Sequence, residues 1–158
     1  FIHCRRARRL NTALERTHMP LAVEEIVPGA VAILESAPLL GNPDVTYADD
    51  QGPFRPGPFL CVAVKDGVCQ WLHLTSRRDP RGLRLEIRPE WRLEGSQIWR
   101  NTPQYVSDAR KPFAGPFVHF VAAGANELPH RPHNRPHVSA EGVTAAVGEM
   151  ARYGVRAL

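Results

Sequence analysis

The chain has 158 residues, 43% of them hydrophobic and 23% charged, and it carries a formal net charge of +4 at pH 7. This length fits one domain with a core of its own, and the composition argues against wholesale disorder. No apolar run approaches the roughly 18–20 residues that cross a bilayer, so we expect a cytoplasmic protein with no membrane partner.

Residues 1–19 differ from the rest of the chain. They begin with Phe rather than Met, include a run of arginines and end at Met19. We interpret them as an N-terminal arm, either native or added for expression, and assign them no role in the fold. Residues 20–158 are predicted to form a single domain, because no second boundary or internal repeat interrupts them.

From residue 20 onward the pattern favours β structure. The chain's fifteen prolines and twelve glycines divide this part into short apolar runs, which is typical of strands rather than long helices. Strands are predicted, in chain order, at 30–35, 59–64, 68–74, 83–87, 104–106 and 117–122. The polar stretch 38–58 is predicted to be a loop long enough to be functional.

The best-defined element is a hairpin closed by Asp66-Gly67, a dipeptide that favours tight two-residue turns. With that turn Val64 faces Cys69, and Cys61 lies further along the ladder. This offset does not favour a disulfide across the strands, so we expect both cysteines to be buried and reduced. The chain's three cysteines are also an odd number, which does not suggest a closed disulfide framework.

One helix is predicted, at the C-terminal end. Ser139 suits its N-cap, and Gly154 is placed to end it. Its apolar residues share one face at helical spacing: Val143, Ala146, Val147 and Met150. Short strands followed by one late helix predict a mostly β fold with a C-terminal helix, built as a small barrel of the SH3-like kind.

The segment 52–76, GPFRPGPFLCVAVKDGVCQWLHLTS, resembles the central part of the MazF/PemK toxin family. Members of that family have a loop ending in Arg-Pro, followed by two apolar strands of which the second ends in Thr or Ser. Here Arg55-Pro56 precedes the first strand, and Thr75-Ser76 ends the second.

Two further segments are similar to the family, VPGAVAIL at 27–34 and YVSDARKPF at 105–113. With the terminal helix, the resemblance covers about residues 21–152. It implies an SH3-like barrel that forms a homodimer and cleaves RNA without a metal or other cofactor. It also implies a protein partner, an antitoxin segment that lies over the basic groove and holds the toxin inactive.

By position in the motif, the resemblance implies that Arg55 and Thr75 act at the scissile phosphate, with Ser76 beside them. A guanidinium can hold a phosphate through two hydrogen bonds and stabilise the charge that develops on its oxygens. Gly57-Pro58 stands between the arginine and the strand, and a second alignment remains open. If Pro58 matches the family's proline, Gly57 occupies the place of the arginine.

The sequence therefore supports two functional hypotheses from different classes. The first is an RNA-directed toxin of a toxin–antitoxin system, acting as a metal-independent endoribonuclease. The alternative is a non-catalytic SH3-like barrel that binds a protein or a nucleic acid. An accessory protein of a phage or mobile element is a third possibility.

Arginines cluster after the hairpin, and a net positive charge is compatible with a polyanionic partner. We expect RNA to bind at Arg77, Arg78, Arg81 and Arg84, with Arg88 and Arg92 nearby. Trp91 and Trp99 could supply stacking surface for bases. The alternative, which is more common for aromatic residues, is a solvated hairpin whose tryptophans belong to the core.

Three histidines, His130, His133 and His137, lie between prolines that favour an extended chain. No Cys, Asp or Glu within this run completes a ligand set, so we expect a surface loop and no metal site.

Three carboxylates are considered for acid–base chemistry. Asp49 and Asp50 lie in the long loop and show no partner in the sequence, whereas Asp108 is expected to pair with an arginine. We assign none of them a catalytic role.

Overall fold

A computed structural model describes residues 20–127 and 134–158. The arm predicted at 1–19 lies outside these residues, as do Cys4, His130 and His133. The described strands are β1 (Val31–Leu34), β2 (Gly57–Lys65), β3 (Val68–Thr75), β4 (Glu86–Ile87), β5 (Arg92–Leu93), β6 (Gln104–Val106), β7 (Phe113–Pro116) and β8 (His137–Val138). The α-helices are α1 (Gln97–Asn101), α2 (Phe117–Ala123) and α3 (Ala140–Arg152), and 3-10 turns span Val23–Glu25 and Pro89–Trp91.

The strands form an antiparallel six-stranded sheet and a separate two-stranded sheet. The larger sheet has the order β1-β2-β3-β6-β4, with β7 also paired to β3, and the smaller one pairs β5 with β8. This architecture confirms a mostly β fold with a C-terminal helix. Across residues 20–127 and 134–158 the larger sheet is not closed into a barrel, since β1 and β4 are its outer strands.

The β2–β3 hairpin confirms the sequence prediction in its turn and its register. Asp66 and Gly67 both have positive φ, 51° and 78°, as a two-residue type I′ turn requires. Val64 pairs with Cys69, whereas Cys61 pairs with Trp71 after an irregularity in β2. The two cysteines are therefore free and buried, as the offset predicted.

The hairpin is buried on both faces, which explains its nearly continuous apolar sequence. Phe59 and Cys61 belong to one core cluster, and Leu60 and Val62 belong to the other. Side chains that alternate along a strand point to opposite faces, so each face needs its own cover. The helix α2 covers the first face and α3 covers the second.

Residues 117–122 are helical, so the strand predicted there is wrong. The helix α2 follows Pro116 directly, and Phe120 and Ala123 are buried at helical spacing, whereas Val118 is 62% exposed. The Phe120 ring stacks on Trp71 with the ring centroids 5.9 Å apart. A short apolar run suits a strand or a helix equally well, and here packing on the sheet selects the helix.

The C-terminal helix confirms its prediction. Ser139 accepts a hydrogen bond from the Gly142 amide at its start, and Gly154 follows its end with a φ of 73°. Ala146 and Met150 are fully buried in the second core cluster.

The outer edge of β1 is covered at its start by the backbone of residues 136–138, where the Val31 amide donates to the Pro136 carbonyl at 3.0 Å, and further along by an ion-pair network. Arg135 is 6% exposed; its Nη1 donates to Glu127 at 2.9 Å and to the Val31 carbonyl at 3.1 Å. Its Nε donates to Glu25 at 2.6 Å, and Glu127 accepts from the Ile33 amide at 2.8 Å. Burial opposes the charge of Arg135, but the two carboxylates outweigh it and raise its pKa. The network satisfies backbone groups that an open edge would leave exposed.

The long loop between β1 and β2 packs against the first core cluster. Leu39 is fully buried, Tyr47 stacks on Phe113 with centroids 5.8 Å apart, and Phe54 contacts Phe59. This loop places Phe54 and Gln51 over the end of β3, where the candidate site lies.

Candidate functional site

Two adjoining clefts lie at the end of β3. The smaller has a volume of about 240 Å³ and is called the His73 cleft; it is lined by Gln51, Phe54, Phe59, His73, Arg84, Ser107, Asp108, Lys111 and Phe113. The larger, about 460 Å³, is called the Tyr153 cleft and extends from Arg84 to the end of α3. Arg84, Ser107 and Asp108 line both clefts. A single extended ligand can therefore contact both.

His73 lies half-buried on β3 between aromatic rings. Its ring centroid is 4.8 Å from that of Phe59 and 5.9 Å from that of Phe54. A Cβ added at Gly57 would lie 3.1 Å from His73 Nε2, so the chain after Arg55 passes close to the imidazole. Within the described residues neither ring nitrogen is hydrogen-bonded, which leaves the imidazole able to accept a proton from a ligand.

The surroundings of His73 keep the imidazole neutral near pH 7. Burial removes water that would solvate the charged form, and the nearby positive charge of Arg84 acts in the same direction, so the pKa of His73 lies below its ordinary 6.5. A neutral imidazole in a cleft has the protonation state of a general base.

Arg84 is the cation best placed to hold an anion beside His73. Its Nε donates to the Ser107 carbonyl at 3.1 Å, and its Nη1 donates to the Arg77 carbonyl at 2.9 Å. The Ser107 amide donates in turn to the His73 carbonyl at 2.9 Å, so Ser107 joins the two residues. In the described part of the chain no carboxylate forms an ion pair with Arg84, and its charge remains available to a ligand.

Asp108, Arg110 and Lys111 of the two clefts are paired, whereas among residues 20–127 and 134–158 no ion pair involves Asp79 or Arg81 of the Tyr153 cleft. Asp108 binds Arg110 through both carboxylate oxygens, at 2.9 Å each, and this bonding lowers the pKa of Asp108. Lys111 donates to Asp50 at 2.9 Å, which lowers the pKa of Asp50. The pairing of Asp108 with an arginine confirms the prediction, whereas the partner of Asp50 was not visible in the sequence. Its partner lies 61 residues away in the sequence.

The structure brings Arg55 and Thr75 to the same end of the hairpin. Phe59 pairs with His73, so the start of β2 and the end of β3 lie together. Arg55 is exposed and follows Phe54, which lines the His73 cleft. The Thr75 hydroxyl accepts from the Arg77 amide at 3.2 Å, so it closes the turn after β3. Ser76 is exposed in that turn.

The arginine cluster divides into different roles. Arg77, Arg78 and Arg81 are exposed, and Arg81 lines the Tyr153 cleft with Arg84. Arg92 is only 5% exposed, and its Nη1 donates to the carbonyls of Trp99 and Thr102 at the end of α1. This arginine therefore supports the fold.

Trp91 and Trp99 are 6% and 7% exposed and belong to the second core cluster, as the alternative interpretation predicted. They offer no stacking platform to a base. Arg88 lies over Trp91, with its guanidinium carbon 5.0 Å from the ring centroid.

The remaining reactive residue types do not form a second site in the described part of the chain. Burial raises the pKa of Cys61 to about 12 and that of Cys69 to about 11, which disfavours the thiolate. His137 lies in β8, not in a surface loop, and its Nδ1 is 3.3 Å from the Arg135 carbonyl.

Among residues 20–127 and 134–158, no group of three or more His, Cys, Asp and Glu side chains could hold a metal ion. Over the same residues, the helices are all too short or too polar to cross a membrane.

The sequence predicted that Arg84 contacts RNA, and it did not single out His73, Ser107 or Lys111, which line the same cleft. His73 lies in a mostly apolar strand, and its distance of three residues from Ser76 matches no recognisable motif. The available signal was an imidazole in the mostly apolar second strand of the hairpin. Comparison with protein-family models, with curated proteins and with solved structures found no match to this chain.

Proposed function

We propose that this protein is an RNA-directed, metal-independent endoribonuclease of the toxin type to which its sequence is similar, with its reaction centre in the His73 cleft. The observation that carries the proposal is that a half-buried imidazole and an arginine without a carboxylate partner line the same cleft, with Ser107 linking the backbone of His73 to the Arg84 side chain. A general base next to a phosphate-binding cation is the minimum that cleavage at a ribose 2′-hydroxyl requires.

The proposed reaction uses the substrate's own hydroxyl as nucleophile. The 2′-oxygen bonds to phosphorus while the bond from phosphorus to the 5′-oxygen of the next nucleotide breaks. His73 takes the proton of the 2′-hydroxyl, and the leaving 5′-oxygen takes a proton from solvent. The products are a 2′,3′-cyclic phosphate and a 5′-hydroxyl. Arg84 stabilises the negative charge that develops on the phosphate oxygens.

The residues of the sequence motif have supporting roles in this proposal. Arg55 lies on the loop beside His73 and supplies a second phosphate contact. Thr75 and Ser76 shape the turn that leads to Arg77, and the exposed arginines Arg77, Arg78 and Arg81 hold the RNA backbone beyond the reaction centre.

We extend the proposal to the architecture and the partners. The sheet is a divergent, open form of the SH3-like barrel. In support, β3 pairs with β7 through its first half and with β6 through its end, and β2 is irregular between Cys61 and Ala63. The protein acts in the cytoplasm as a homodimer. An acidic antitoxin segment inhibits it by covering the arginine-bearing rim of the clefts.

Cleavage of a mixed-sequence RNA in EDTA tests the proposal. The wild-type protein should cleave, and Arg55→Ala should cleave roughly tenfold more slowly, because a solvent-exposed guanidinium contributes less than a buried one. Arg100→Ala is the matched control, since Arg100 is an exposed arginine outside both clefts. Intact RNA at high wild-type concentration would exclude the nuclease. RNA that is retained without being cut would identify the binding module instead.

The pH profile of cleavage gives a second prediction. A general base is inactive when protonated, so the wild-type rate should fall only below pH 6.5, where the depressed pKa of His73 lies. Arg84→Gln removes one cause of the depression and should move this acid limb to higher pH, although burial of the imidazole remains. The limb is measured from single-turnover rates. A limb that stays in place or moves to lower pH would contradict the role of His73 as base.

A further inference from the structure

The Tyr153 cleft continues from the reaction centre and has the size of a small-ligand site. Its volume of about 460 Å³ falls within the ordinary range for such sites, roughly 300–1,000 Å³. Arg84 stands at the boundary with the His73 cleft, and Tyr153 and Glu149 of the α3 end form the far wall. A nucleotide whose phosphate binds Arg84 can therefore extend its base into this cleft.

The far wall presents a carboxylate with spare hydrogen-bonding capacity. The side chain of Glu149 is only 10% exposed, and its oxygens accept from Arg152 Nη1 at 3.3 and 3.4 Å. These are long contacts from a side chain that is itself 69% exposed. A carboxylate offers about four acceptor positions, so Glu149 can accept further hydrogen bonds from a ligand.

Other residues of this cleft add positively charged and aromatic groups to its surface. Arg81 also lines this cleft, is exposed and carries donors only. Tyr153 is 43% exposed, and the guanidinium carbons of Arg110 and Arg152 each lie 5.8 Å from its ring centroid. Arg110 is held in place by its two bonds to Asp108, so a flat, rigid guanidinium faces the cleft beside the phenol ring.

We propose that the Tyr153 cleft binds a guanine base of the RNA, an inference that rests on the proposed function and gives it a base preference. Guanine presents two adjacent donors, N1–H and the N2 amine, to a carboxylate such as Glu149. It also presents two acceptors, O6 and N7, to an arginine such as Arg81. The other RNA bases do not offer both pairs. The planar Arg110 guanidinium provides a stacking surface.

Binding of mononucleotides to the full chain tests the guanine site without any cleavage. Isothermal titration with GMP, IMP and AMP should show GMP binding on the order of tenfold more tightly than AMP, since a bidentate contact discriminates by about that factor or more. IMP lacks the N2 amine and should lie between them. Glu149→Gln replaces one acceptor by a donor, so it should weaken GMP binding and thereby remove the preference for GMP over AMP.

Glu141→Gln is the matched control, because Glu141 is exposed on the same helix outside the cleft. Equal affinity for GMP and AMP, or a guanine preference that survives in Glu149→Gln, would overturn the inference. If the protein prefers GMP but leaves RNA intact, the guanine site is supported and the proposed nuclease activity is refuted. If it cleaves RNA but binds GMP and AMP equally, the nuclease activity is supported and the guanine site is refuted.

Discussion

Replacing His73 by glutamine is expected to lower the single-turnover rate of RNA cleavage by between about 100- and 10,000-fold, the usual contribution of a general base. Glutamine keeps a polar side chain of similar reach, but it cannot take a proton from the 2′-hydroxyl at neutral pH. Among the described residues that line the His73 cleft, the imidazole is the titratable group that is neutral at that pH, and Arg84, which has no carboxylate partner there, lines the same cleft.

The matched control for this prediction is His119→Gln. His119 lies on α2, where its Nδ1 is 2.9 Å from the Asn42 amide nitrogen, and it lines neither cleft. This variant should cleave RNA at the wild-type rate. Circular dichroism and thermal unfolding of both variants separate loss of the base from loss of the fold. Undiminished cleavage by folded His73→Gln would place the reaction centre elsewhere.

The second large effect is expected on stability. Arg135→Met should lower the free energy of unfolding by about 3–5 kcal/mol, because it breaks a buried ion pair in which Arg135 Nη1 lies 2.9 Å from Glu127 Oε1. The same change also takes a donor from the Val31 carbonyl at the edge of β1. Urea unfolding followed by tryptophan fluorescence measures the loss. Arg100→Met, an exposed position, should change stability by no more than about 0.5 kcal/mol.

A double variant distinguishes charge burial from loss of packing. Adding Glu127→Gln to Arg135→Met removes the buried negative charge, while the amide oxygen can still accept from the Ile33 amide. The double variant should therefore be more stable than Arg135→Met alone. Equal or lower stability would show that lost packing, not the buried negative charge of Glu127, causes the loss. The double variant also remains measurable if the single variant does not fold.

The network around Arg135 also explains why the edge of β1 could not be predicted from sequence. Arg135 and Glu25 are separated by 110 positions, and Arg135 is flanked by prolines and histidines that suggested only an extended surface loop. The ion pair between Arg135 and Glu25 depends on the fold, which brings these two distant segments together. Local sequence patterns carry no information about such long-range contacts.

The candidate site was predictable only in part, because some of its contacts also join segments that are distant in the sequence. The motif residues Arg55 and Thr75 lie at the end of the hairpin, which the sequence had located, and Arg84 was already in the predicted RNA-binding set. The contacts that join Arg84 to His73 pass through Ser107, a residue 23 positions from Arg84 on a separate element. Its participation depends on β6 pairing with the end of β3.

The amino-acid sequence by itself determined the elements whose conformation is decided within a few residues. Asp66-Gly67 closes the hairpin because this dipeptide tolerates positive φ, and Ser139 starts the last helix because its hydroxyl satisfies a free amide. Asp108 forms an ion pair with Arg110, two residues away in the sequence. Each of these interactions is local, so the local sequence specifies it.

Only the tertiary structure decided the helical state of residues 117–122, the burial of Arg92 and the meeting of His73 with Arg84. An apolar run of six residues suits a strand or a helix, and the sheet face over Trp71 selects the helix because Phe120 fills it. An imidazole in a strand becomes a candidate base only when distant segments bury it and place a cation beside it. Burial and electrostatics depend on the whole fold, so the proposed chemistry of this protein depends on contacts between distant segments.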